Sequence, residues 1–343
     1  MTLPARSCLP LPLALALLAL VSACTGEPPA KPPPAAVQAP PPPARPEPPP
    51  VDQAQLRRER AAAARDAAAR AERAAASPAS RAMRDYLAGV EETLIARGRL
   101  RTDGGEEIAL TPEKLTDTFV EVALHDEYVR EGGRLVSRPT PAPLRRWQLP
   151  IQLRLEFGDS VAPDQRERDR AEIAEFAARL QRVSGHPVAL TGGAGNIDVL
   201  ILNEDERRAI AARLAALMPG IPPGDVAALR DLAPQNYCTV FAYSNGNSPV
   251  YTQAVALIRA ELPPRLRRSC IHEELAQGMG LANDSPRARP SLFNDDEEFA
   301  YLTRHDELLL QILYDPRLRP GMTEAEARPI VLQIARELLD AEA

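Results

Sequence analysis

Thirteen prolines crowd residues 28–50, and 16 of the chain's 36 prolines lie within its first 50 residues. Each proline fixes φ and removes a backbone donor, so this stretch is barred from helix and sheet and takes extended polyproline geometry. At ~3.1 Å per residue it forms a tether of up to about 70 Å. The chain beyond residue 50 is long enough for one large or two small domains. The formal net charge of −6 has the wrong sign for a nucleic-acid partner, and none is expected.

Ahead of the tether, Arg6 supplies a positive start, residues 11–21 are almost wholly apolar, and Ser22 and Ala23 precede Cys24. That order is the layout of a secretory signal, and an apolar run of about 11 residues is far short of the roughly 20 that span a bilayer. Val21-Ser22-Ala23-Cys24 resembles the lipobox of bacterial lipoproteins. The resemblance implies that residues 1–23 are removed, that Cys24 becomes the lipidated first residue, and that 24–52 tether the remainder to a membrane. Several acyl chains on one residue anchor firmly, since each buried methylene contributes ~0.8 kcal/mol. Thr25 stands where an Asp would resemble an inner-membrane retention signal, which implies the periplasmic face of the outer membrane. The expected partners are therefore the membrane, through the anchor, and an unidentified envelope protein or cell-wall component.

Residues 53–76 are mostly Ala, Arg and Glu, without Gly or Pro or a stripe of large apolar residues. They predict a helix with little to bury: a solvated spacer over 53–77, or a basic arm against acidic lipid or cell wall. Ser77-Pro78 ends it. Met83, Leu87, Val90, Leu94 and Ile95 predict a second helix over 80–97 closed by Gly98, and Thr111-Pro112-Glu113-Lys114 starts a third that buries Leu115, Phe119, Val122 and Ala123. Together 78–143 read as a helical lead-in.

From Trp147 the pattern alternates, with Leu149, Ile151, Leu153, Leu155 and Phe157 on one face of a strand. Ile173, Phe176, Ala177 and Leu180 mark an amphipathic helix over 163–183, strands come at 187–190 and 197–202, and a helix at 204–218. The Gly-rich link 191–196 lacks dinucleotide-binding spacing and reads as a turn. Residues 237–243 and 250–258 flank Asn245-Gly246, a hairpin signal. The fold class is α/β over 144–321, with a C-terminal helix in 322–343. Cys238 and Cys270 are the cysteines left once Cys8 leaves with the signal and Cys24 carries lipid, and an oxidising compartment pairs them.

The stretch with chemistry in it is Glu273-Glu274-Leu275-Ala276-Gln277-Gly278-Met279-Gly280-Leu281. It resembles the metzincin helix His-Glu-x-x-His-x-x-Gly-Leu with both histidines replaced. Glu273 and Gln277, four apart, share one face as two ligands must. The resemblance implies that Glu274 matches the general base, Gly280 the glycine where the chain turns back, and Asn283 the third ligand, with Asp284 beside it. Residues 290–295 lie where metzincins have the methionine turn but hold no Met, and Thr303 with Asp306 caps a helix like their last one. The order of strand, helix, strands, hairpin and site helix also matches a zincin amino-terminal half. A metzincin-like twisted sheet beside the helix is thus the expected architecture.

At closer range, about residues 86–321 resemble a proteobacterial lipoprotein family of unknown function, domain-of-unknown-function family 2927. The resemblance is carried by Leu100-Arg101-Thr102-Asp103, Arg146-Trp147, Cys270-Ile271-His272-Glu273-Glu274-Leu275, Phe293-Asn294-Asp295-Asp296-Glu297 and Leu313-Tyr314-Asp315-Pro316-Arg317-Leu318. It implies a location and a domain, not a reaction. Glu, Gln and Asn are hard oxygen donors that disfavour zinc and suit a hard divalent cation or no ion, so no cofactor is expected beyond such a cation. The expectation is a non-catalytic binding or scaffolding role in the envelope. The competing class is a metal-dependent peptidase or other hydrolase in which Glu274 activates water. Glu274 is expected to hydrogen-bond the chain around 292–295. The scattered histidines form no site, and the acidic run 295–298 and the pairs Arg145-Arg146 and Arg267-Arg268 read as solvated faces.

Overall fold

Hydroxyl caps and prolines set where the first helices begin. The computed structural model describes residues 53–341 apart from 76 and 133; the signal, Cys24 and the proline tether lie outside the described residues. Helix α1 (Gln53–Ala75) has no buried side chain among its described positions and most of them are exposed, in keeping with a helix of Ala, Arg and Glu. In α2 (Pro78–Ala96) the Ser77 hydroxyl accepts from the Ser80 N–H at 3.1 Å, and in α3 (Pro112–Ala123) the Thr111 hydroxyl accepts from Lys114 at 3.1 Å, each with Pro in the first turn where its missing N–H costs nothing.

The expected helical lead-in also contains an antiparallel hairpin, β1 (His125–Glu131) and β2 (Arg134–Pro141). Its charged alternation, His-Asp-Glu-Tyr-Val-Arg-Glu, carries too few apolar residues to announce a strand. From Gln53 onward the chain forms one compact unit, so spacer, lead-in, α/β region and C-terminal helix are parts of one body.

The main sheet begins with β3 (Arg146–Trp147) and β4 (Ile151–Phe157), followed by α4 (Pro163–Ser184), β5 (Val188–Leu190) and β6 (Ile197–Leu202). Of the expected strand face, Ile151 and Leu153 are buried, whereas Leu149 precedes the strand and is exposed. The helix expected at 204–218 is broken into α5 (Glu204–Arg208) and α6 (Ala211–Leu217), and α7 (Pro223–Arg230) comes next. The hairpin is β7 (Cys238–Ser244) and β8 (Val250–Arg259), then α8 (Pro264–Met279), α9 (Arg304–Tyr314) and α10 (Glu324–Asp340). The architecture is α/β, with a mostly parallel central sheet of order β3-β8-β6-β4-β5 and β7 antiparallel on the edge of β8.

Both faces of the sheet are covered, which is why β6 reads Ile-Asp-Val-Leu-Ile-Leu with every residue buried. Val199 and Ile201 point into the larger core with α4, α8 and α9, while Leu200 and Leu202 pack with Leu214 of α6 and Leu229 of α7. Among the described residues no helix is long and apolar enough to cross a membrane.

Candidate functional site

Helix α8 is encased: Cys270, Ile271, Leu275, Ala276 and Met279 are all buried. Its C-terminal carbonyls, which a helix leaves open, are met by the Trp147 indole N–H donating to Gly278 at 2.7 Å and the Tyr314 hydroxyl donating to Met279 at 3.0 Å. Gly280 then turns at φ 129°, and a Cβ there would lie 2.5 Å from the Arg145 carbonyl oxygen, so only glycine fits. The returning chain is pinned to α3: Asn283 donates from its backbone N–H to the Val122 carbonyl at 3.0 Å and from Nδ2 to that of Glu121 at 2.9 Å. This sets Asp284 beside α8, where Gln277 Nε2 donates to its Oδ1 at 3.0 Å.

A cleft of about 640 Å³ opens over Glu273, Glu274 and Gln277. Six consecutive residues of β7, 238–243, line it. Because side chains alternate across a strand, six in a row mean that the strand's edge, not one face, borders the cleft. Residues 126–129 of β1 line it from another side. The Cys238–Cys270 disulfide, with Cα atoms 5.9 Å apart, ties β7 to α8. Cys270 lies three and four residues before the two glutamates, so the bridge shares their helix face. A second cavity of about 260 Å³ adjoins, and Glu127, Glu273, Asp284 and Glu297 line both.

These acids have little to balance them. Burial first, then the negative charges of Asp284, Glu274, Glu297 and Glu127, holds Glu273 well above the usual carboxylate range. Glu274 is raised well above it by burial, then by Asp284 and Glu127. Asp284 is pushed up to about 8 by burial and by Glu127 and Asp295, and Glu297 to about 7 by burial. The cation among the described residues lining the larger cleft, Arg145, is already held by two hydrogen bonds to Asp126 at 2.8 and 2.7 Å. Glu274 is 3% exposed and its Oε2 has no hydrogen-bond partner among the described residues. Asn283 is likewise 3% exposed with Oδ1 unpartnered, and it lines the smaller cavity.

The expected bond from Glu274 to the chain around 292–295 does not form. That place belongs to Asp306, whose carboxylate accepts from Ser291 Oγ at 2.5 Å, the Leu292 N–H at 2.9 Å, the Thr303 N–H at 2.8 Å and Thr303 Oγ1 at 3.0 Å. The sequence pointed to Asp306 as a cap, and the same carboxylate also reaches back to the loop. The expected solvated faces are corrected in part, since Asp295 and Asp296 of the acidic run are exposed. Arg146 donates to the carbonyls of Leu313, Asp315 and Leu318, Arg267 to that of Leu262 at 2.6 Å, and Glu297 turns into the cleft. Glu297 does so with a left-handed φ of 57°, a conformation costly for a non-glycine residue.

The structure brings together Glu273, Glu274, Gln277 and Asp284, and places Asn283 in the smaller cavity rather than the main cleft. Sequence reasoning missed Glu127 and Glu297. A glutamate next to tyrosine in β1 and one within an acidic run carry no spacing signal; only the fold sets them against α8. The donors lining the cleft are carboxylate and amide oxygens, not the imidazole and thiolate that make up most zinc sites. The described group with three potential ligand atoms within 4.8 Å of one another is Cys238, Glu273 and Glu274, but the Cys238 sulfur is committed to Cys270, and no imidazole joins the carboxylates. His272 is occupied elsewhere, stacked on Phe176 at 3.9 Å and accepting from the Leu302 N–H at 3.2 Å.

A family model described as "Protein of unknown function (DUF2927)" matches residues 112–333. No curated protein and no solved structure shows a significant match. The match covers more than half of the chain, which therefore belongs to this family.

Proposed function

We propose that this member of the DUF2927 family is a non-catalytic binding module, lipid-anchored through Cys24 at the periplasmic face of the outer membrane, whose cleft takes a positively charged ligand. The observation that carries the reading is Glu274: a carboxylate 3% exposed, with one oxygen unpartnered among the described residues, facing a cleft whose lining cation there is already paired. A buried acceptor without a donor costs about 1–3 kcal/mol, and a cation in the cleft removes that cost.

The hydrolase alternative, with Glu274 as general base, meets an electrostatic obstacle. Acyl transfer develops negative charge on an oxyanion, which needs donors aimed at it. Here the Gln277 amide is spent on Asp284 and Arg145 on Asp126, and whichever of Glu127, Glu273, Asp284 and Glu297 ionises would repel that charge. The same field favours a bound cation.

Titration of the purified protein with spermidine tests the binding role. Saturable binding that weakens with ionic strength and falls at least tenfold in Glu274→Gln is the expected outcome; equal binding of an anionic probe would sink it. For the anchor, Cys24→Ser should leave unprocessed precursor without lipid label.

A further inference from the structure

Four carboxylates belong to both cavities, and they come from separate segments: Glu127 from β1, Glu273 from α8, Asp284 from the chain returning after it, and Glu297 from the loop before α9. Glu274 adds a fifth from the helix itself. Carboxylates gathered from that many elements repel unless they take up protons or a cation lies between them. Among the nearby donors, Gln277 reaches one oxygen of Asp284 and Tyr128 hydrogen-bonds Glu127.

Geometry narrows the class of cation. One oxygen of Glu273 and one of Glu274 lie within 4.8 Å of each other. Two oxygens that share an ion at about 2.3–2.6 Å can be no more than about 5 Å apart, so both carboxylates can hold one calcium-sized ion. Unmet acceptors support the same reading: Glu274 Oε2 and Asn283 Oδ1 are buried with no partner among the described residues, one beside each cavity. Carboxylate and amide oxygens are hard donors, and calcium takes an adaptable set of them; the third ligand atom within 4.8 Å of both glutamate oxygens is the disulfide-bonded Cys238 sulfur, so the ion would draw Glu127, Asp284 and Glu297 inward to complete its shell. Magnesium demands near-octahedral geometry and keeps its waters.

We propose that the junction of the two cavities binds a hard divalent cation of the calcium class, held by Glu127, Glu273, Glu274, Asp284 and Glu297, with Asn283 Oδ1 on the side of the smaller cavity. This rests on the cleft being a cation-binding site and names the cation. Ligands from β1, α8 and two loops would be drawn together by one ion, so its binding would also tighten the cleft walls.

The test uses the full mature chain after chelator treatment. Calorimetry and thermal melts are run with calcium, magnesium, zinc and spermidine, on wild type and on the isosteric variants Glu274→Gln, Glu127→Gln and Glu298→Gln. Glu298 pairs with Arg101 and Arg289 away from the cleft and serves as control. The expected result is one calcium per chain, a melting temperature raised by several degrees, affinity weakened at least tenfold in Glu274→Gln and Glu127→Gln, and none of this altered in Glu298→Gln. Spermidine binding without calcium binding would overturn the ion while leaving the cationic cleft standing. Binding of neither would overturn both. Zinc binding tighter than calcium, or calcium binding untouched by both cleft variants, would overturn the ligand set.

Discussion

Asp306 and Glu274 are both acids removed from water, 0% and 3% exposed, and they sit in opposite circumstances. Asp306 takes four hydrogen bonds and clasps the loop 291–303 to the start of α9; Glu274 ends in an oxygen with no partner among the described residues, at the wall of a cleft. Even with four donors, burial lifts Asp306 to about 6. A buried carboxylate is tolerated when donors surround it, and one left without them stores free energy that a ligand can release. The first belongs to the fold and the second to whatever the cleft receives.

The largest effect expected comes from the disulfide that locks cleft wall to cleft floor. Cys238 and Cys270 are 32 residues apart, and opening that loop should cost roughly 3.5–4 kcal/mol in the chain-entropy model. Denaturant melts with and without reductant measure it. A drop of that size with the Asp306 clasp still protected from hydrogen exchange would show that the two regions yield separately.

Next is Asp306→Ala, which strands the buried N–H groups of Leu292 and Thr303 and should cost about 3 kcal/mol by the same denaturant assay. Loss below about 0.5 kcal/mol would erase the distinction between the two acids. Glu274→Gln should act in the other direction. Glutamine replaces an acid whose ionisation burial and its neighbours oppose, which stabilises the chelated protein by about 1–2 kcal/mol, a rise of a few degrees in melting temperature. A fall would mean that Glu274 holds the fold as Asp306 does.

The smallest effect is the pH dependence of the chelated protein. Asp284 and Glu297 are raised to about 8 and about 7, so the folded state takes up protons at a pH where the unfolded chain, with ordinary carboxylates, does not. Stability is therefore gained as pH falls through that range and lost as it rises. Between pH 8 and 7 the melting temperature should climb by a degree or two. Below that range His186, His272 and His305, all lowered by burial, work in the opposite sense. A flat profile between pH 8 and 7 would mean that the cleft acids are ionised and balanced.

Much of the fold was legible. Thr111 and Thr303 announce helix starts because a cap is local chemistry, and β6 announces a strand through its apolar run, whereas Ser77 was read as a helix end and is also the cap of α2. The hairpin β1–β2 was not legible, since its register rests on backbone pairing beneath charged side chains. Within the site, helix period put Glu273 and Gln277 on one face, and the metzincin resemblance pointed to Glu274 and, after the turn, to Asn283 with Asp284. Glu127 and Glu297 were not, because each is an ordinary glutamate in its own neighbourhood.

By itself, then, the sequence determined what depends on neighbours along the chain: caps, periodicities and the α/β class. The tertiary structure alone decided which acids find donors. Asp306 meets the loop 291–303, whereas Glu274 meets other carboxylates. Whether a buried charge is satisfied depends on what distant segments bring within about 3 Å of it, and no local pattern encodes that distance.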